Sequence, residues 1–120
     1  SLDSEKLATK ISLEQKKYKK KPKLFIQVNI GNEEQKSGIN KGQLIDFYHF
    51  CKELDLDIVG TMCIPPNDNN TEKYFFEMSE INQKLNFKEL SMGMSGDYVE
   101  AIENNATYIR VGSKIFGARD

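Results

Sequence analysis

The feature that most constrains this chain is an alternation of helical and extended signals, repeated four times without a low-complexity linker. Four short apolar segments read as strands: residues 24–30, 58–64, 90–94 and 107–112. Helical spacing fills the intervals. Residues 3–20 carry a sparse apolar stripe of Leu7, Ile11 and Leu13. Residues 42–54 carry Leu44, Ile45, Phe47, Tyr48, Cys51 and Leu54. Residues 71–85 open on Thr71 as N-cap and turn Tyr74, Phe75, Met78, Ile81 and Leu85 to the core. Asp97 to Glu100 reads as a capping box opening a helix to about Asn104, with Asn104-Asn105 as a left-handed C-cap.

Helical crossovers between successive apolar strands force parallel pairing with right-handed connections, so the class is α/β. Two architectures accept four such strands. One is a small open doubly wound sheet. The other is half of an eight-stranded barrel of the TIM type, which needs about 250 residues when complete. No Gly-x-Gly-x-x-Gly follows the first strand, and the strongest glycine signals stand at the ends of the last two strands. Those positions favour the half barrel, four strands with their helices. Half a barrel leaves open edges and one face of a layered interior, so self-association or a companion half is expected.

At 120 residues the chain is one domain, and a charged fraction of 29 %, with mean hydropathy −0.58, belongs to a soluble globular chain. No apolar run approaches a membrane span, and residues 1–20 lack the order of a signal peptide. Cys51 and Cys63 sit in apolar periodic segments without metal-knuckle spacing, which reads as buried free thiols in a reducing cytoplasm. Eight of the lysines fall within residues 1–23. Clustered lysines can bind a phosphate backbone, but lysines closing a helix before Pro22 explain the run without a nucleic-acid partner. His49, the one histidine, lies off the strongest stripe of its helix and has no second histidine to pair with.

The chemistry concentrates in Ser91-Met92-Gly93-Met94-Ser95-Gly96-Asp97 and Arg110-Val111-Gly112-Ser113. Both follow strands, and in a parallel α/β fold both therefore lie on the C-terminal face where ligands bind. Gly93 and Gly96 let backbone turn sharply and approach a ligand, and the helix opening near Asp97 aims free amides at it. Phosphate is the natural occupant: Ser95 and Ser113 offer hydroxyls, and Gly112 leaves room for backbone amides.

These motifs, with Val28-Asn29-Ile30, Lys36-Ser37-Gly38-Ile39 and Ile115-Phe116-Gly117-Ala118-Arg119, closely resemble the pyridoxal phosphate homeostasis protein family across nearly the whole chain. Ser1 to Ser4 resembles the segment just after the fourth strand of that family's barrel, which is of the alanine racemase N-terminal type. The resemblance implies that residues 1–120 are the second half of the barrel, strands five to eight. It implies pyridoxal 5'-phosphate as cofactor, held by Ser95, Gly112 and Ser113, with Arg110 at the pyridine nitrogen. The family's Schiff-base lysine ends the first barrel strand, and no lysine here matches that motif, Lys36 and Lys114 included. Ser113 stands where threonine is common, Lys114 where a small residue is common and Asn105 where glycine is common. The implied function is a non-catalytic carrier or regulator of vitamin B6 supply, with no catalytic or metal-binding residue in this chain. The alternative is a fragment of a racemase or decarboxylase on the same barrel, which would need a catalytic tyrosine, histidine or cysteine opposite the cofactor.

Overall fold

The structure is a computed structural model that describes residues 1–33, 37–66 and 68–110. Helix α1 (Glu5–Tyr18) leads into β1 (Lys23–Asn29). After a loop come a short strand β2 (Ile39–Asn40) and a 3-10 turn running into α2 (Leu44–Glu53). Then follow β3 (Asp57–Met62), α3 (Thr71–Lys84), β4 (Glu89–Met94), α4 (Tyr98–Glu103) and β5 (Tyr108–Arg110). All neighbouring strands pair in parallel, in the order β2-β1-β3-β4-β5. The four expected strands are present and each is added on the same side of the one before. The two-residue β2 lies on the far side of β1; the crossovers that carry helices, from β1 through β3 and β4 to β5, all add in one direction, as a barrel grows.

Right-handed crossovers in a sheet that grows one way put the helices on one face. Leu24, Ile26 and Val28 alternate as buried positions toward that face, and Leu90 is buried beside them. Thr61 pairs with Ile26 in register and marks the same side, because its hydroxyl donates to Asn82 Oδ1 of α3 at 2.7 Å. Asn82 Nδ2 in turn donates to the Glu89 carbonyl at 2.7 Å, so a buried polar chain ties β3 to α3 and β4.

The opposite face is concave. The rings of Phe25 on β1 and Tyr108 on β5 meet edge to face with centroids 5.2 Å apart, although two strands lie between them. Strands in a flat sheet are spaced about 4.8 Å apart, so two rings three strands distant touch only when the sheet is strongly curled. The intervening strands make room by presenting small residues: Gly60 pairs with Phe25, and Ser91 pairs with Tyr108.

Several local expectations need correction. A fifth strand exists: β2 pairs with Val28 and Asn29, its two residues too few for a periodic signal. The edge of β1 is partly covered, because Leu2 forms a parallel bridge with Ile26, its amide donating to the Phe25 carbonyl at 2.7 Å. Helix α1 starts at Glu5, with Ser4 as N-cap accepting from the Leu7 amide at 3.1 Å. It buries Ala8 and Ser12 while Leu13 faces water, since Ser12 sits against α2 and donates to the Leu54 carbonyl. Ile45 is likewise exposed. Thr71 is the first helical residue of α3 and Asn70 the N-cap. The left-handed residue after α4 is Asn105. Lys16 and Lys17 occupy the last turn of α1 and Lys19 its left-handed cap, as a helix-closing lysine run requires.

Gly60 sets the spacing of the sheet. A Cβ built there collides with the Glu89 carbonyl, which is backbone and cannot swing aside. Gly60→Ala should lower unfolding free energy by about 3 kcal/mol, the upper end of ordinary overpacking, read from urea melts followed by circular dichroism. A change within about 0.5 kcal/mol would mean that β3 and β4 are not in this register.

Candidate functional site

The Ser95 motif stands at the C-terminal end of β4, next to the end of β5 at Arg110. Met94 pairs with Arg110 in register, so the residue before Ser95 and the start of Arg110-Val111-Gly112-Ser113 lie side by side on adjacent strands. The sequence put both segments on the C-terminal face, and the parallel β4–β5 pairing makes Met94 and Arg110 direct neighbours there. Ser95 is half-buried in the turn of residues 95–97 that joins β4 to α4. Gly112 and Ser113, and also Lys36 and Lys114, lie outside the described residues.

Asp97 does not form the expected capping box. Its carboxylate accepts from the Met94 amide at 2.6 Å and its own amide donates to the Met94 carbonyl at 3.1 Å, so the side chain closes the turn and makes no cap bond to α4. The local reason is competition: a short aspartate side chain bonds whichever nearby amide the turn presents first. The N-cap residue itself therefore gives the first amides of α4 no side-chain bond.

The two glycines have different work. Gly93 has φ 106°, and a Cβ there would sit 2.7 Å from the Ala101 Cβ, so glycine lets α4 pack tightly on β4. Gly96 has no heavy atom within 4 Å of a Cβ position and leaves open space beside Ser95. The close approach at Gly93 is therefore to a helix, and only at Gly96 is the space open.

The rim is reinforced by contacts that the sequence did not assign. Asn29, at the end of β1, donates to the Glu33 carbonyl at 2.5 Å and accepts from the Glu33 amide at 3.0 Å, which holds the start of the following loop. Its polarity in an otherwise apolar strand was the available signal. Gly38, with φ 120°, lies with its Cβ position 2.7 Å from the Asn29 amide and holds the loop's other end. Gly31 abuts the ring of Pro66 so closely that no Cβ fits, which joins the loops after β1 and β3.

The crevice between the ends of β3 and β4 is small, about 10 Å³, and is bordered by Met62, Ile64, Ser91, Met94 and Asp97. Larger hollows lie elsewhere: one of about 510 Å³ near Lys23, Tyr48 and Phe87 at the opposite end of the strands, and one of about 400 Å³ beside Tyr18 and Pro22. Neither adjoins the β4–α4 turn. His49 is exposed on α2, away from the strand ends. Among the described residues the lysines lie on helices, just after helices or at the beginnings of strands, and none ends a strand. No group of three or more metal-ligating side chains occurs among them, and no helix is long and apolar enough to cross a membrane.

Both cysteines are buried free thiols. Burial first, and Glu5 second, push Cys51 up to about 11; burial first, and Asp97 second, push Cys63 up to about 12. These thiols stay protonated in the folded chain while an unfolded cysteine ionises near pH 8.5 to 9. Their contribution to stability is therefore complete below about pH 8 and is lost progressively as the pH rises from the unfolded value through the folded values of about 11 and 12. Iodoacetamide at pH 8 should leave both unmodified in the native chain and alkylate both in urea, as intact mass would show. Rapid native labelling of Cys63 would place it in solvent at the strand ends.

The comparisons with known proteins agree with this geometry. The profile of the family described as alanine racemase, N-terminal domain, matches residues 1–120. The pyridoxal phosphate homeostasis protein of Pasteurella multocida is 35 % identical over the full chain, and that of Vibrio cholerae 38 %; the chain covers 56 % and 55 % of them. It thus spans about half the length of the curated relatives it matches. Among solved structures, PipY of Synechococcus elongatus with pyridoxal phosphate bound superposes with a TM-score of 0.84 at 30 % identity, covering 98 % of this chain and 59 % of PipY.

Proposed function

Since the chain belongs to the alanine racemase N-terminal domain family, we propose that it is the phosphate-holding half of a pyridoxal 5'-phosphate-binding barrel that serves vitamin B6 homeostasis as a carrier, without catalysis. In this reading β1, β3, β4 and β5 take the places of barrel strands five to eight. The remaining length of the relatives suffices for the four strands that would cover the concave face. Two buried thiols suit a reducing cytoplasm.

The observation that carries the reading is the pairing of Met94 with Arg110, which sets the Ser95 turn and the Arg110 motif at one end of the sheet. The residues there fit a phosphate ester. Gly96 leaves room, Ser95 supplies a hydroxyl, and the start of α4, where the N-cap Asp97 makes no cap bond, supplies amides. Gly112 and Ser113 would complete the phosphate contacts, and Arg110 would stand at the pyridine nitrogen.

Pyridoxal phosphate, when bound, supplies an aldehyde that condenses with amines and a ring that withdraws electrons. A guanidinium at the ring nitrogen disfavours its protonation and so weakens that withdrawal, which suits storage better than carbanion chemistry. Retention then rests on noncovalent contacts in this chain, with the lysine supplied from the other half of the barrel.

The test is equilibrium dialysis of the purified chain with pyridoxal phosphate, with and without borohydride. Binding should be saturable and displaced by inorganic phosphate, and borohydride should fix no stoichiometric adduct. Arg110→Ala should weaken retention by about tenfold or more, as loss of a charge-assisted contact implies. One lysine labelled to completion, or binding indifferent to phosphate, would overturn the assignment.

A further inference from the structure

We propose that the end of the sheet opposite the Ser95 turn is a docking surface for an acidic protein segment that carries bulky apolar side chains. The surface is independent of the cofactor reading. Closing α1 takes Lys16 and Lys17 in its last turn and Lys19 at its left-handed cap. The run nevertheless continues through Lys20, Lys21 and Lys23, which follow the cap and are not needed to close the helix. All six side chains are exposed, and among the described residues Lys21 alone of them makes an ion pair, with Asp55 at 2.9 Å.

The run passes between two hollows. Lys20 and Pro22 border the one of about 400 Å³, whose wall is otherwise mostly apolar, with Ile11 and Tyr18. Lys23 borders the one of about 510 Å³, together with Lys88, Tyr48, Phe87 and Val59, the residue that the register shift leaves without a partner on β1. Tyr18 is 62 % exposed, with the Lys17 ammonium 5.4 Å from the centre of its ring. Tyr48 meets Phe87 edge to face with centroids 5.0 Å apart, and the Lys52 ammonium lies 5.4 Å from the centre of the Tyr48 ring. Each hollow thus sets an aromatic ring beside ammonium groups, a combination that takes up an apolar side chain flanked by carboxylates.

Charge decides the occupant. Beyond residue 23 the chain holds nine Lys or Arg against fifteen Asp or Glu, so this end concentrates positive charge on a chain of net charge −1. Such a field steers and orients an acidic partner. A nucleic-acid strand would instead meet Glu14 at one hollow and Glu89 at the other, and aliphatic walls where its bases need flat faces. Strands of six or seven residues, at about 3.3 Å each, separate this end from the Ser95 turn by about 20 Å, so a docked partner leaves that turn free.

The test is fluorescence anisotropy of the purified chain with a fluorescein-labelled octapeptide of six glutamates, one tryptophan and one phenylalanine. Its affinity should exceed that of octaglutamate by about tenfold or more, the scale of burying one apolar side chain. Lys20→Glu with Lys23→Glu should weaken it by at least about tenfold, since each reversal turns an attraction into a repulsion. Lys6→Glu with Lys10→Glu makes the same change of net charge on the exposed early turns of α1 and should leave binding within about twofold, because charges beyond a Debye length are screened. Tyr18→Ala, at an exposed position that spares the core, should remove most of the advantage over octaglutamate. Equal losses in the two charge reversals, an advantage that Tyr18→Ala leaves intact, or failure of the peptide to bind would each overturn the proposal. Tighter binding of labelled octathymidylate than of the peptide would overturn it in favour of nucleic acid. A wild-type dimer in sedimentation that Lys20→Glu with Lys23→Glu dissociates would overturn it in favour of a second copy of the chain.

Discussion

The contact between Phe25 and Tyr108 is the constraint on which the rest of the structure depends. It spans the concave face from β1 to β5 and records a sheet bent far enough for strands with two others between them to meet through their rings. Edge-to-face packing of this kind is worth about 0.5 to 1.5 kcal/mol beyond the area it buries. Its structural consequence is larger than its energy. Curvature of that degree makes the face between β1 and β5 concave, while the pairing of β4 with β5 sets the turn at Ser95 beside Arg110.

Two arrangements permit the bend. Register between β1 and β3 shifts after Leu24, so that Phe25 pairs with Gly60 and Val59 is left over as a bulge residue. Bulges raise local twist, and glycine opposite an aromatic ring leaves it space. On the convex side the chain from Thr61 through Asn82 to the Glu89 carbonyl fixes how α3 sits across β3 and β4. A buried polar chain with its partners in place specifies one arrangement more strictly than apolar packing does. The helix side therefore fixes position, and the concave side is left for ligand and for further strands.

Strand and helix identity was legible because apolar period distinguishes them, and parallel order followed from the crossovers. What escaped had physical causes. The strand at Ile39 has two residues, below any periodicity. Leu13 and Ile45 fit an apolar stripe but face water, since helix–helix contact at Ser12 and Cys51 set the rotation of α1 and α2. Each helix is followed by a residue with positive φ, and Lys19, Asp55, Asn86 and Asn105 serve without a glycine; of these, Asn105 alone lies in a recognisable pair. Asp97 had the spacing of a capping box, yet the tight turn after Met94 offered its carboxylate a nearer amide. The motif at Ser95 was visible as a glycine-containing strand end. Its alignment with Arg110 is a property of register, which spacing along the chain does not encode. Family resemblance supplied the cofactor's identity, because an anion cradle by itself does not name the molecule that carries the anion.

The curl of the sheet is open to direct measurement. In nuclear Overhauser spectra of the purified chain, the ring protons of Phe25 and Tyr108 should show cross-peaks to one another, accompanied by amide contacts of the parallel pairs Phe25–Gly60 and Ser91–Tyr108. Cross-peaks between rings on strands that are not neighbours arise only in a curved sheet. Parallel-sheet contacts without any exchange between the two rings would describe a flat sheet, and would contradict the account of this chain as part of a barrel.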